Sequence, residues 1–250
     1  MAGHSKWKQI KHKKARMDAQ RGKIFTKLIK EITVAARLGG GDESANPRLR
    51  SAIAAAKAAN MPYSNIERAI KKGTGELPGV VYEEAVYEGY GPGGTAIMVE
   101  CLTDNKNRTV ADMRHLFSKY GGNLSETGSV AWMFERKGEI TVRMDGLTED
   151  DVLMVALEAG ADDMKVEEGI ATITCAPEEL DKIKEALEAN NIPYESAEIN
   201  MVPQNTVKVE GKQAVQLLKL MEHLEEHDDV QNVYSNFDVD ASVLEEYQQS

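Results

Sequence analysis

The stretch from residue 138 to 202 restricts the fold more than any other part of this chain. Apolar side chains alternate with polar ones at 138–144, 163–167, 170–175 and 196–202, the two-residue period of strands. Between them, at 149–159 and 177–189, the apolar spacing widens to three and four residues, the period of helices. The resulting order, strand-helix-strand-strand-helix-strand, is that of a ferredoxin-like unit.

The flanking residues have a different character. From Lys23, Phe25, Leu28, Ile29, Ile32, Ala35 and Ala36 form one helical stripe, and Gly39-Gly40-Gly41 ends it. Asn46-Pro47 supplies an N-cap and a first-turn proline for a second helix with inner residues Leu49, Ala52, Ile53 and Ala56. Met61-Pro62 breaks that helix. Ser64-Asn65-Ile66-Glu67 has the form of a capping box, and a short stripe of Ile66, Ala69 and Ile70 follows, ending at Gly73. These three helices predict a small bundle.

Residues 74–79 form a linker, after which the composition becomes β-rich. Strands are expected at 82–88 and 95–102, a helix at 108–119 and a strand at 129–136. A helix at 211–226 and a strand at 230–237 then lack partners of their own. They complete the earlier set if the ferredoxin-like unit is inserted within it. The expectation is a multi-domain α and α+β chain. It comprises an N-terminal basic arm plus three-helix bundle (1–76), a middle α+β domain (77–136 and 205–245), and an inserted ferredoxin-like domain (137–204).

Charge is distributed as unevenly as structure. The formal net charge of −11 combines +12 over residues 1–75 with −23 over the rest. Ten Lys and Arg fall in the first 30 residues, opposed by Asp18 alone. Residues 1–22 offer only Trp7, Ile10 and Met17 as large apolar groups, too few to build a core, so this arm is expected to stay mobile until it meets a partner. Lysines and arginines gain affinity by releasing counterions from phosphates, and an indole can stack on an exposed base. The candidate nucleic-acid-binding residues are Lys6, Trp7, Lys8, Lys11, Lys13, Lys14, Arg16, Arg21, Lys23, Lys27 and Lys30. The acidic remainder should be held away from phosphate.

Other classes find less support. No run reaches the ~18 apolar residues of a membrane span, and His4 and Lys6 interrupt any signal-peptide core, so the expected address is the cytoplasm. Cys101 and Cys175 share strand faces with Ile97 and Val99, and with Ala171 and Ile173, which reads as two core thiols. Tyr87-Glu88-Gly89-Tyr90-Gly91-Pro92-Gly93-Gly94 is glycine-rich but lacks the Gly-Lys-Ser/Thr ending of a phosphate loop, so it reads as a turn between strands. His223-Leu224-Glu225-Glu226-His227 matches a zinc peptidase string, yet both histidines fall off the apolar face and no pocket is implied. Asn107 or Thr109 is available to cap the helix after Asp104, and the acids at 149–151 suit a helix N-terminus. No catalytic residues, metal, cofactor or small-molecule substrate are expected. The oligomeric state is left open.

Taken together, the motifs resemble the YebC/PmpR family. The resemblance rests on Met1-Ala2-Gly3-His4-Ser5-Lys6-Trp7 with Ile10-Lys11-His12-Lys13-Lys14, on the Tyr87–Gly94 segment, on Thr103-Asp104-Asn105-Lys106-Asn107-Arg108-Thr109, and on Gly121-Gly122-Asn123-Leu124 with Gly128-Ser129-Val130. It spans nearly the whole chain. The resemblance implies a helical N-terminal domain, a middle α+β domain and a ferredoxin-like insertion. Two functions come with it: a DNA-binding transcriptional regulator, or a translational activator that works on ribosomal or transfer RNA through the same basic region.

Overall fold

The computed structural model describes residues 6–8 and 19–249 of the chain. Its first long helix, α1, runs Ala19–Gly39, starting a turn ahead of the apolar stripe that predicts it. Helices α2 (Pro47–Ala58) and α3 (Tyr63–Thr74) follow. Ile32, Ala35 and Ala36 of α1 pack against Leu49, Ala52, Ile53 and Ala56 of α2 and against Ile66 and Ala69 of α3. Alanine dominates these contacts, so the helices lie close together.

Asn46 joins two of these helices with one side chain. Its carboxamide oxygen accepts from Leu49 N (3.1 Å) and caps α2, while its Nδ2 donates to Ala35 O (2.8 Å) and Gly40 O (2.9 Å) at the end of α1. The expected capping box at Ser64 does not form. Helix α3 starts one residue earlier, so Ser64 lies inside the first turn, and Glu67 pairs instead with Lys71 at 3.0 Å. Nor does Gly73 end the helix. A Cβ there would collide with the Thr33 carbonyl oxygen and with Ala36, so this glycine lets α3 press on α1. The left-handed cap is Gly75, at φ 84°.

Strands β1 (Glu83–Gly91) and β2 (Thr95–Thr103) form a hairpin closed by a 3-10 turn at Pro92–Gly94. Helix α4 (Lys106–Lys119) and the short β3 (Asn123–Ser125) come next. Asn105, rather than Asn107 or Thr109, caps α4, accepting from Arg108 N at 3.0 Å. Near the end of the chain, α7 (Gly211–Glu226) and β9 (Val230–Ser235) join the same unit, giving a sheet of order β3-β1-β2-β9. Strand β2 is covered on both faces. Ile97, Val99 and Cys101 meet Met113 and Phe117 of α4 and Leu217, Leu218 and Met221 of α7, while Ala96 and Met98 meet Val130, Phe134 and Tyr234. A parallel pair, β8 (Val207–Lys208) with β10 (Phe237–Asp238), and a final helix α8 (Ala241–Gln249) complete this part. The sequence reading did not anticipate α8.

Between these segments lies a second sheet built from β4 (Phe134–Arg143), β5 (Asp163–Glu167), β6 (Ile170–Cys175) and β7 (Ser196–Pro203), in the order β5-β6-β4-β7. Every neighbouring pair is antiparallel. Helices α5 (Glu149–Glu158) and α6 (Leu180–Ala189) supply Val152, Ala156, Ile183 and Leu187 to a core with Ile140, Val142, Ala171, Ile173 and Cys175. Thr148 caps α5 ahead of three consecutive acids, where the helix dipole favours negative charge. Strand β4 begins at Phe134, and the pairs Phe134↔Pro203, Glu135↔Val202 and Arg136↔Met201 continue its ladder with β7. Residues 134–203 are thus joined to the rest by an unbroken two-stranded neck. The segment expected to be a strand at 129–136 is strand only from Phe134, because 131–133 form a 3-10 turn.

Candidate nucleic-acid interface

Helix α1 has two working faces besides its apolar stripe. Arg21 and Lys23 point to solvent, whereas Lys27 and Lys30 turn toward the C-terminal end of α7. The unsatisfied carbonyls of a helix C-terminus attract cations. Accordingly Lys27 Nζ donates to Glu225 O, and Lys30 Nζ to Asp228 O at 2.9 Å.

Lys30 is only 7% exposed, and its main partner is Asp229, at 2.8 Å. Asp229 also accepts from Arg108 Nη2 (3.0 Å) and Thr109 Oγ1 (2.9 Å) on Oδ2. Burial alone would raise this carboxyl, but the Lys30, Arg108 and Thr109 donors outweigh it and hold it at about 2. The cluster pins α1 to the β-sheet beside it. The cleft that opens next to it is lined by Asp104, Asp112, Glu226, Asp228 and Asp229 against Lys23, Lys30 and Arg108, so its acids outnumber its cations.

The described part of the N-terminal arm is a helical turn at residues 6–8, docked against residues far from it in sequence. Trp7 differs from the stacking surface expected of it. Its ring is 4% exposed within the core of the β1–β2–β9 unit, its Nε1 donates to Glu225 at 3.2 Å, and Tyr247 stands 6.0 Å away. Lys6 reaches Glu168 at 3.1 Å, and Lys8 reaches Glu198 at 3.3 Å and Asn200 at 3.1 Å. Lys11, Lys13, Lys14 and Arg16 lie outside the described residues.

Several cations outside the candidate set stand on the outer faces of α1–α3. Arg37, Arg50, Lys57, Arg68 and Lys72 are exposed and, like Lys23, make no ion pair among the described residues. Their signal is present in the +12 of residues 1–75, of which the candidate set extends only as far as Lys30. Tyr63, 66% exposed, opens α3 in the same region.

The remaining motifs make internal contacts. Glu88 is buried and accepts from the backbone N–H groups of Gly128 (2.7 Å), Val130 (2.8 Å) and Ala131 (2.8 Å), fixing the loop that carries the exposed Trp132. The glycines beside it serve close packing: a Cβ at Gly89 or Gly122 would meet the backbone oxygen of Asn123 or Tyr90. His223 lies between Tyr120 Oη (2.9 Å) and Lys219 O (2.8 Å), and His227 between Asp112 (3.1 Å) and Asp229 N (3.1 Å). Among the described residues no group of three His, Cys, Asp or Glu is placed to hold a metal ion. Cys101 and Cys175 are buried, and burial pushes the Cys101 thiol up to about 12. No helix of the described residues is long and apolar enough to cross a membrane.

Comparison with known proteins assigns this architecture. A model described as the TACO1/YebC protein N-terminal domain matches residues 5–76, and one described as the TACO1/YebC second and third domain matches residues 82–237. The chain belongs to the TACO1/YebC family. Relatives of the TACO1/YebC type in Syntrophobacter fumaroxidans (58% identical over 246 residues) and Desulfotalea psychrophila (59% over 247 residues) each carry the name "probable transcriptional regulatory protein". In both cases the alignment covers 98% of this chain and 99% of the relative. The crystal structure of a conserved hypothetical protein from Aquifex aeolicus is similar at 52% identity and a TM-score of 0.80, covering 89% of this chain and 92% of that one. The multi-domain α+β architecture of this TACO1/YebC chain is therefore one already seen in a solved structure.

Proposed function

We propose that this chain is a non-enzymatic, cytoplasmic regulator of gene expression that binds nucleic acid through residues 1–76, with DNA as its target and transcription as the process controlled. The observation that carries this reading is the set of exposed cations on α1–α3 that make no ion pair among the described residues, namely Lys23, Arg37, Arg50, Lys57, Arg68 and Lys72. A solvated cation without a carboxylate partner keeps its full electrostatic attraction for phosphate. Arg21 and the cations at 11–16 belong to the same proposed surface. The names carried by the bacterial relatives support the regulatory assignment. Residues 77–136 with 205–245, and a ferredoxin-like insertion over 137–204, are the acidic domains of this scheme and face away from the polyanion.

A second reading, an RNA-bound translation factor, is favoured by Tyr63. An exposed ring on the same helices as these cations is suited to stacking on an unpaired base. Crosslinking in cells, followed by sequencing of the attached DNA and RNA, separates the two. Discrete promoter-proximal DNA sites are the expected result. Recovery of ribosomal RNA without such sites would replace transcription by translation, and recovery of neither polymer would end both. With about five to eight phosphate contacts, the logarithmic salt slope of binding should be about −4 to −7.

A further inference from the structure

Three consecutive residues of the basic arm are committed elsewhere in the molecule, and the way they are held is specific. Trp7 is sunk between α7 and α8, with Glu225 on its Nε1 and Tyr247 beside its ring. Lys6 points outward to the β5–β6 hairpin, at Glu168 (3.1 Å) and Glu167 (3.9 Å). Lys8 reaches β7 at Glu198 and Asn200, and its ammonium also lies 5.7 Å from the ring centre of Tyr234 on β9. One helical turn therefore touches both sheets. Covalently, residues 134–203 are attached to the rest only through the β4–β7 neck, so these side contacts help to fix how the unit sits.

We propose that Lys6-Trp7-Lys8 is an autoinhibitory latch, in which carboxylates of the 134–203 unit hold the same cations that would otherwise meet phosphate. Closure of the latch and engagement of the arm by a polyanion then exclude each other. Trp7 anchors the closed state, because its burial does not depend on salt. The ion pairs set the balance: Glu168 and Glu198 are exposed carboxylates, and such pairs are weak and easily exchanged for a stronger anion. Opening the latch would free the acidic unit to pivot on its neck while the arm is occupied. The competition rests on the nucleic-acid reading given above, whereas the closed geometry does not.

The test uses the full chain with Trp132→Phe, which leaves Trp7 as the one indole reporter. Glu168→Gln with Glu198→Gln weakens the latch without touching the basic surface. Glu158→Gln with Glu185→Gln removes the same charge from the same unit at exposed positions remote from the arm contacts. At low salt the latch variant should bind a 20-nucleotide single-stranded oligonucleotide about threefold to tenfold more tightly than the parent, and the control variant should not. Saturating oligonucleotide should red-shift Trp7 emission and open it to iodide quenching. The proposal is overturned if the two variants gain affinity equally, or if Trp7 stays shielded in the saturated complex. If no form binds DNA or RNA, the functional reading fails separately. In that event, greater iodide access to Trp7 in the latch variant alone would still support the closed contact, and unchanged access would refute it.

Discussion

Glu88 shows how one side chain can decide the shape of a segment forty residues away. Its carboxylate is 3% exposed and accepts three backbone N–H bonds from residues 128–131. Burial alone would raise the carboxyl, but those three donors hold it below its ordinary value. Glu88→Ala strands three buried donors and should cost about 3 kcal/mol in urea denaturation, with a change in Trp132 emission as the loop relaxes. The pH dependence follows from the same bonds. Glu88 and Asp229 both have depressed folded values, so the stability they contribute is complete above the ordinary carboxylate range and is lost as pH falls through their lowered values, about 2 for Asp229. Stability should be flat from pH 8 to about 5 on their account and fall below about pH 4. The Glu88→Ala protein should show a shallower acid limb. Neither residue was legible in the sequence as a hub. Glu88 sits in a strand pattern that says only which face it takes, and its partners are backbone groups, which carry no residue signature.

Elements were read more faithfully than their ends. The strands and helices between 138 and 202 lie where apolar periodicity puts them, because a buried face imposes a period that polar exceptions cannot hide. Caps and glycines were less transparent. Asn46 caps α2 as its position beside Pro47 implies, yet Ser64-Asn65-Ile66-Glu67 satisfies the capping pattern and makes no cap. Gly73 looked like a terminator and is a contact point, since close approach of two helices and termination of one both select the smallest residue. Gly73→Ala should drive α1 and α3 apart and cost about 2 to 3 kcal/mol, far more than the gain in helix propensity of about 1 kcal/mol. Thermal unfolding should reveal that loss. An equal substitution at the exposed Gly22, where a Cβ meets nothing within 4 Å, should be neutral or mildly stabilising.

Across the whole molecule, the basic residues of α1 divide into two roles that charge counting merges. A lysine facing solvent and a lysine facing the carbonyl end of another helix have the same place in the sequence pattern. Only tertiary structure shows that Lys27 and Lys30 belong to the second kind. Paired substitutions should separate them. Lys30→Met breaks a buried ion pair and should lose about 3 kcal/mol of stability, read by denaturant titration. Lys23→Met should leave stability within about 0.5 kcal/mol and lower the salt slope of polyanion binding by about 1. Trp7 illustrates the same limit. A lone indole among lysines suggests stacking, but the apolar socket formed by α7 and α8 lies more than 200 residues away in sequence, out of reach of any local pattern.

The unbroken β4–β7 neck also bears on how the chain comes to be folded. Strand β2 is flanked by β1, which precedes it at once, and by β9, which is made about 130 residues later. Everything from Phe134 to Pro203 must leave the synthesising machinery before the edge of β2 is covered. The intervening unit contains all its own pairing partners and can close first, while the older sheet waits with an open edge, the kind of surface that invites misassembly. Pulse-labelled hydrogen exchange during refolding should therefore show protection across 138–202 before it appears at Ile97 and Val99. The two ends of the chain would be the last to agree on a structure.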